Sequence, residues 1–354
     1  MKPKPETTKT EVSVKTEEVK PEVVAKEQEK PATVTENKAK PAKKKKSSKK
    51  AVILQKIKDY LAKRNNRVII GNWKTNKKFD DIKDFAQNFN ALMNRDAKIM
   101  KNLNFIVGIA PSMIGLLPVA GLMKKWVYPV AQFVTEKEKG AFTGQVSYTQ
   151  VHEYNVNYSI VGHSETRPYL GVTDKKCHDT IVALISDGMR PIICVGETAE
   201  EKDLGNSKKV IALELMNCLK DLTAEQAHEV IIAYEPIWAI GAQTASIECI
   251  RDMGKYIREV LTDLFDEQTA KNVHVLYGGV VNQENAYSIM KVEGIDGVLV
   301  GGASLDPDSF FNIVRSAPEW DYVKRLLKPD LALDPKKAKK IEARKNKKYK
   351  IKQK

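Results

Sequence analysis

Eight short runs rich in valine and isoleucine recur along the middle of the chain, at 67–71, 104–110, 127–133, 158–162, 191–196, 230–234, 273–277 and 297–300. Helical patterns separate them, except after the third, where a long loop and a short helix are expected. None of the runs alternates strictly between apolar and polar residues. That pattern belongs to strands buried on both faces of a parallel sheet. Eight such strand–helix units in 67–317 fit a closed (β/α)8 barrel, an α/β fold with eight parallel strands inside and helices outside. An open doubly wound sheet is the competing architecture, but the first run is not followed by a glycine-rich dinucleotide loop.

The formal charge of +14 suggests a partner such as nucleic acid, yet it is unevenly placed. Residues 1–66 hold 19 Lys and Arg against 9 Asp and Glu, and residues 318–354 hold 14 against 5. That leaves 26 against 31 for 67–317, so the barrel segment is mildly acidic and the basic character belongs to the ends. Residues 1–50 have no aromatic residue and too little apolar content to offset their ordering entropy, which predicts disorder. Residues 51–66 hold Ile53, Leu54, Ile57, Tyr60 and Leu61 at helical spacing, a short amphipathic helix or linker. In the basic extension 318–354, Trp320, Val323, Leu326 and Leu327 predict another short helix before a lysine-rich tail.

The four cysteines show no paired or metal-type spacing, as with reduced thiols in a cytosolic protein. No apolar run approaches membrane-spanning length, and the N-terminus lacks an apolar signal core. A cytoplasmic protein is expected.

In a barrel of this kind, function collects where the strands end. Those positions hold Asn72 and Lys74, Gln132, His163 and Glu165, Glu197, Glu235, then the diglycines 278–279 and 301–302. Glu235 closes a buried apolar run, where poor hydration makes a carboxylate a stronger base. The apolar Trp238-Ala239-Ile240 loop after it suits a lid that excludes water. Alone, Glu235 also fits a helix-capping residue, and His163 a satisfied core histidine. Together, His163, Lys74 and Asn72 supply an electrophile, a cation and a neutral donor for a developing oxyanion. The diglycines are expected to open onto helix starts, letting bare N–H groups approach a phosphate, although a tight turn also explains each pair. No metal-ligand spacing and no Ser-His-Asp or Cys-His pairing is readable, which points to proton transfer without metal or cofactor.

The motifs GNWKTN (71–76), GAFTGQVS (140–147), VGHSETR (161–167), CVGET (194–198), AYEPIWAIG (233–241), YGG (277–279) and VGGASL (300–305) closely resemble triosephosphate isomerase, in order and spacing. The resemblance implies interconversion of dihydroxyacetone phosphate and glyceraldehyde 3-phosphate through an enediolate. It makes Glu235 the base, His163 the neutral electrophile, Lys74 and Asn72 the substrate-facing cation and donor, and Glu165 the carboxylate beside that lysine. Gly241, Val280, Gly301 and Gly302 match the N–H groups that hold the phosphate. Trp238, Ala239 and Ile240 match the lid, hinged at Pro236. A homodimer is implied, with Thr143 at the tip of the loop that reaches the partner's site.

The chain departs from the family's usual pattern at several positions. Val280 stands where a serine hydroxyl commonly helps hold phosphate, which predicts weaker substrate binding. Gln243 replaces a hinge glycine, and Gln145 and Thr166 replace a charge pair at the dimer interface. Other readings are a different sugar-phosphate barrel enzyme, or an inactive relative whose tails bind RNA, ribosomes or an anionic membrane surface. Weak polyanion binding by the tails is compatible with either an active or an inactive barrel.

Overall fold

The computed structural model describes residues 49–124, 126–241 and 244–327. Among them are eight strands: β1 (Val68–Asn72), β2 (Ile106–Ala110), β3 (Tyr128–Ala131), β4 (Tyr158–Val161), β5 (Arg190–Val195), β6 (Ile231–Tyr234), β7 (His274–Tyr277) and β8 (Gly297–Val300). Each pairs in parallel with its neighbours in chain order, and β8 closes onto β1. The chain is a closed eight-stranded parallel barrel with helices outside, as its apolar runs predict.

Register explains why those runs do not alternate. On β1, Val68 and Ile70 point into the barrel, where they pack with Val130, Ile160, Ile192 and Leu299. Ile69 points outward, into the layer between strands and helices. Both faces are therefore dry, and every position of the strand favours an apolar side chain. The long run at 127–133 gives only a four-residue β3. Beyond it, the Gln132 amide donates to the backbone oxygens of Lys74 (2.9 Å) and Ala110 (2.8 Å), which ties the top of β3 across to β1 and β2.

Two helices flank the barrel segment in sequence. The N-terminal helix, Lys49–Leu61, begins two residues earlier than the expected one, so Lys49 and Lys50 are helical. The rest of the segment expected to be disordered, 1–48, lies outside the described residues, as do the lysine-rich tail from 328 onward, Ala242 and Gln243. The C-terminal helix, Pro318–Leu327, buries Trp320 and Val323, with Trp320 edge-on to Phe311 at 5.8 Å. Tyr60 and Tyr322 stack at 3.8 Å and join the two helices. Among the described residues, no helix is long and apolar enough to cross a membrane.

A buried ion pair also links the C-terminal helix to the start of the barrel. Arg67, just before β1, makes two hydrogen bonds to Glu319, at 2.9 and 3.0 Å, and a third to the Ile295 carbonyl at 2.7 Å. The Glu319 side chain is only 2% exposed. Removing one partner of a buried pair strands the other's charge, at a cost of about 3–5 kcal/mol. Glu319→Ala is expected to lose stability on that scale in chemical denaturation. An unchanged midpoint would show that Arg67 finds water or another acceptor at no cost.

Candidate active site

The carboxyl ends of the strands open into a cavity of about 410 Å³. Asn72, Lys74, His163, Glu235, Ile240, Gly241, Val280, Gly301 and Gly302 all line it. Residues from β1, β4, β6, β7 and β8 thus meet in one place, although up to 230 positions separate them in sequence. Glu165 does not line the cavity but reaches it through Lys74. Pro236, Trp238 and Ala239 lie behind Ile240 in the loop after β6. Thr143 is exposed at the tip of the loop after β3, away from this chain's own cavity.

Local structure fixes each polar group. Lys74 takes a left-handed backbone conformation (φ 53°), a strained state for a residue with a side chain. Two bonds hold it there: its N–H donates to Asn72 Oδ1 (3.1 Å), and its carbonyl accepts from Gln132. That use of Oδ1 also orients the Asn72 amide, leaving its NH2 group as the free donor. Lys74 Nζ lies 2.7 Å from Glu165 Oε1.

The Glu165 N–H donates to His163 Nδ1 at 3.1 Å. A ring nitrogen that accepts a hydrogen bond carries no proton, so the neutral tautomer has its proton on Nε2. Nε2 stands 3.2 Å from Glu235 Oε1. Burial opposes charge on His163, but the Glu235 carboxylate outweighs it and raises the histidine pKa; Glu165 adds to this, and Lys74 opposes it. Burial likewise pushes Glu235 up. His163, the Ser164 N–H at 3.3 Å and the Cys194 thiol together outweigh that and hold Glu235 below the usual carboxylate range.

Glycine makes room for this pair. A Cβ on Gly278 would meet Glu235 Cγ at 2.7 Å, which would displace the carboxylate. Gly301 and Gly302 line the cavity with nothing within 4 Å of a Cβ, so any side chain there would stand in the ligand's space. Neither diglycine opens directly onto an α-helix, as the sequence had suggested. After β8 comes a single 3-10 turn, Gly302–Ser304. After β7, Asn282 and Asn285 bond their neighbours' backbone in a turn that delays the helix to Ala286.

The loop after β6 is anchored at both described ends. The Ile237 N–H donates to the Glu197 carbonyl (3.0 Å), and Trp238 Nε1 donates to Glu197 Oε1 (2.8 Å). Lys202 Nζ sits over the Trp238 ring, 3.3 Å from its centre. On the far side, the Ala245 N–H donates to the Tyr277 hydroxyl (3.2 Å). The sequence showed Glu197 only as a polar strand end and Cys194 only as a buried thiol. Their roles depend on contacts between β5 and β6, which nothing local signals.

Fold and site define a (β/α)8-barrel protein with a buried carboxylate–imidazole pair in a cavity lined on one side by glycines. A sequence model of triosephosphate isomerase matches residues 67–317. The chain is 39% identical over 250 residues to triosephosphate isomerase of Pediococcus pentosaceus, covering 70% of this chain and 97% of that one. It is 41% identical over 251 residues to triosephosphate isomerase of Mycoplasmopsis pulmonis, covering 70% and 96%. The chain belongs to the triosephosphate isomerase family.

The site yields one titration test. In Glu235→Gln the carboxylate charge that overcomes burial at His163 is gone, while burial itself and the Glu165 N–H remain. The His163 pKa is expected to fall below the ordinary histidine value when followed by NMR of the ring. A pKa that stays put would show that Glu235 does not control the imidazole.

Proposed function

We propose that this chain interconverts dihydroxyacetone phosphate and glyceraldehyde 3-phosphate, with Glu235 as the base and His163 as the electrophile. The observation that carries this reading is the 3.2 Å contact between Glu235 Oε1 and a ring nitrogen whose partner atom is held as an acceptor. The phosphate would lie against Gly241, Val280, Gly301 and Gly302. The carbonyl oxygen would then take the hydrogen bond that His163 Nε2 gives Glu235. That exchange frees the carboxylate from the partner that lowers its pKa and leaves it where burial raises it. The base thus strengthens when the substrate arrives.

Glu235 would remove a proton from the carbon beside the carbonyl and return it to the neighbouring carbon. Negative charge on oxygen is met by His163 Nε2–H, the Asn72 amide and Lys74. Neutral imidazole as electrophile, and a lid over the site, are features for which this family is itself the reference example. Here the lid would pivot at Pro236 and bring Ile240 over the substrate, with Trp238 and Ala239 behind.

Assembly as a homodimer, with Thr143 reaching the partner's site, is part of this proposal. Large apolar residues stand exposed in the connections that follow β2, β3 and β4: Ile114 and Tyr169 on helices and Phe142 in a loop. Such a patch suits an interface. The unpaired cysteines suit the cytoplasm. The lysine-rich ends are proposed to attract polyanions.

Turnover of glyceraldehyde 3-phosphate by the full chain, sedimenting at twice its chain mass, is expected to disappear almost entirely in Glu235→Gln. Equal turnover in that variant would remove Glu235 from the chemistry, and a monomer of full activity would remove the partner's role. Val280→Ser adds a hydroxyl beside the phosphate and is expected to lower KM with little change in kcat. An unchanged KM would mean that the backbone N–H groups suffice.

A further inference from the structure

A second concave site lies on the opposite end of the barrel. The N-terminal helix does not seal against the barrel along its whole length. Between it and the segment leading into β2 runs a groove of about 710 Å³. Its floor is apolar, from Leu54, Ile57 and Leu61, and three cations edge it: Lys58, Arg64 and Lys101. Asn66, Asn102 and Asn104 also line it, and none of its lining residues is a carboxylate. Lys58 and Arg64 come from the basic segment that precedes the barrel, and Lys101 from the barrel segment itself. Lys101 and Asn104 directly precede β2, which puts the groove at the amino ends of the strands, across the barrel from the Glu235 cavity.

We propose that this groove binds a single strand of RNA. The inference rests on the reading that the lysine-rich ends attract polyanions, and it gives that reading a place on the folded protein. Three observations favour RNA. The groove is lined by three cations and no carboxylate, which suits the repeated charges of a phosphodiester backbone. The carboxamides offer both donors and acceptors, the complement of base edges and ribose hydroxyls. The Arg64 guanidinium carbon sits over the Tyr60 ring, 4.0 Å from its centre, with 41% of the side chain exposed, and so offers a planar cation on which a base can stack.

A membrane surface fits less well. A helix lying in a bilayer needs a large apolar face turned outward. On this helix Ile57 is turned against the barrel, and Val52 is the one large apolar side chain exposed among the described residues.

The two flanking helices give the groove its setting. Arg64 lies within 3.8 Å of Glu319, near the start of the C-terminal helix, and Tyr60 stacks on Tyr322 further along it. The helices therefore run antiparallel, so Lys49 and Leu327 lie at the same end of the pair. The lysine-rich segments on either side of the described residues join the fold at those two points. An RNA strand drawn by the tails' charge would meet the groove beside their attachment.

The test uses the full chain and a fluorescent oligouridylate of about 12 nucleotides, the scale of a single-strand site, titrated by anisotropy at several salt concentrations. Lys58 and Lys101 are exposed, so Lys58→Glu with Lys101→Glu leaves the core untouched. This double variant is expected to bind on the order of tenfold more weakly, with a salt dependence shallower by about 1.4, the loss of two phosphate contacts to a single strand. Isomerase turnover should not change. Replacing both lysines by arginine should restore binding. Unaltered RNA binding by the double glutamate variant overturns the groove while sparing the tails. No binding by the parent chain overturns both. Displacement of the RNA by vesicles rich in phosphatidylserine, at equal anion concentration, overturns the choice of RNA.

Discussion

A carboxylate can leave water only if other groups replace the water, and the upper end of this barrel is organised around that demand at Glu235. The residue is 2% exposed. Its oxygens are met by His163 Nε2, the Ser164 N–H and the Cys194 thiol, groups from β4 and β5 that only a closed barrel brings to the end of β6. The strands on either side must also keep their distance from it. Gly278 does this directly, because a Cβ there would press on Glu235. On the proposed mechanism one of these few replacements is exchangeable, so the charge that His163 stabilises becomes reactive once a carbonyl oxygen claims the imidazole.

The same logic of replacing water governs the supports. Lys74 keeps a strained backbone because Asn72 and Gln132 satisfy its N–H and its carbonyl. Glu197 is buried at 1% exposure, and one of its oxygens holds the top of β6 and the loop after it through Tyr234 and Trp238. At the other end, Arg67 and Glu319 neutralise each other where the flanking helices meet the barrel. Charges on this protein are thus used at both ends, but differently. At the top, Glu235 is buried against His163, whereas at the groove Lys58 and Lys101 stand exposed.

Much of this was legible in the amino-acid sequence, for identifiable reasons. Strands buried on both faces write themselves as uninterrupted apolar runs, so all eight could be read, with ends displaced by up to two residues. Residues that must stand at strand ends, such as Glu235 and His163, are conspicuous because they interrupt such runs. What could not be read depends on contacts between distant segments. The Arg67–Glu319 pair spans 252 positions, and no local pattern links them. The left-handed Lys74 carries none of the glycine or asparagine that usually marks such a backbone. The turn after β7 defeated the expected helix start because Asn282 and Asn285 bond locally before a helix can begin. The groove exists only because one helix lies across the mouth of another segment.

Proton transfer through an enediolate has a signature that no other route to the same product shares. Isomerisation should be run in deuterium oxide, with the product examined by NMR at the carbon that receives the proton. A proton held on Glu235 exchanges with solvent during the lifetime of the intermediate, so deuterium is expected at that carbon in a measurable share of the product. Complete retention of the original hydrogen, with full turnover, would mean direct hydride migration and would contradict the role given to Glu235.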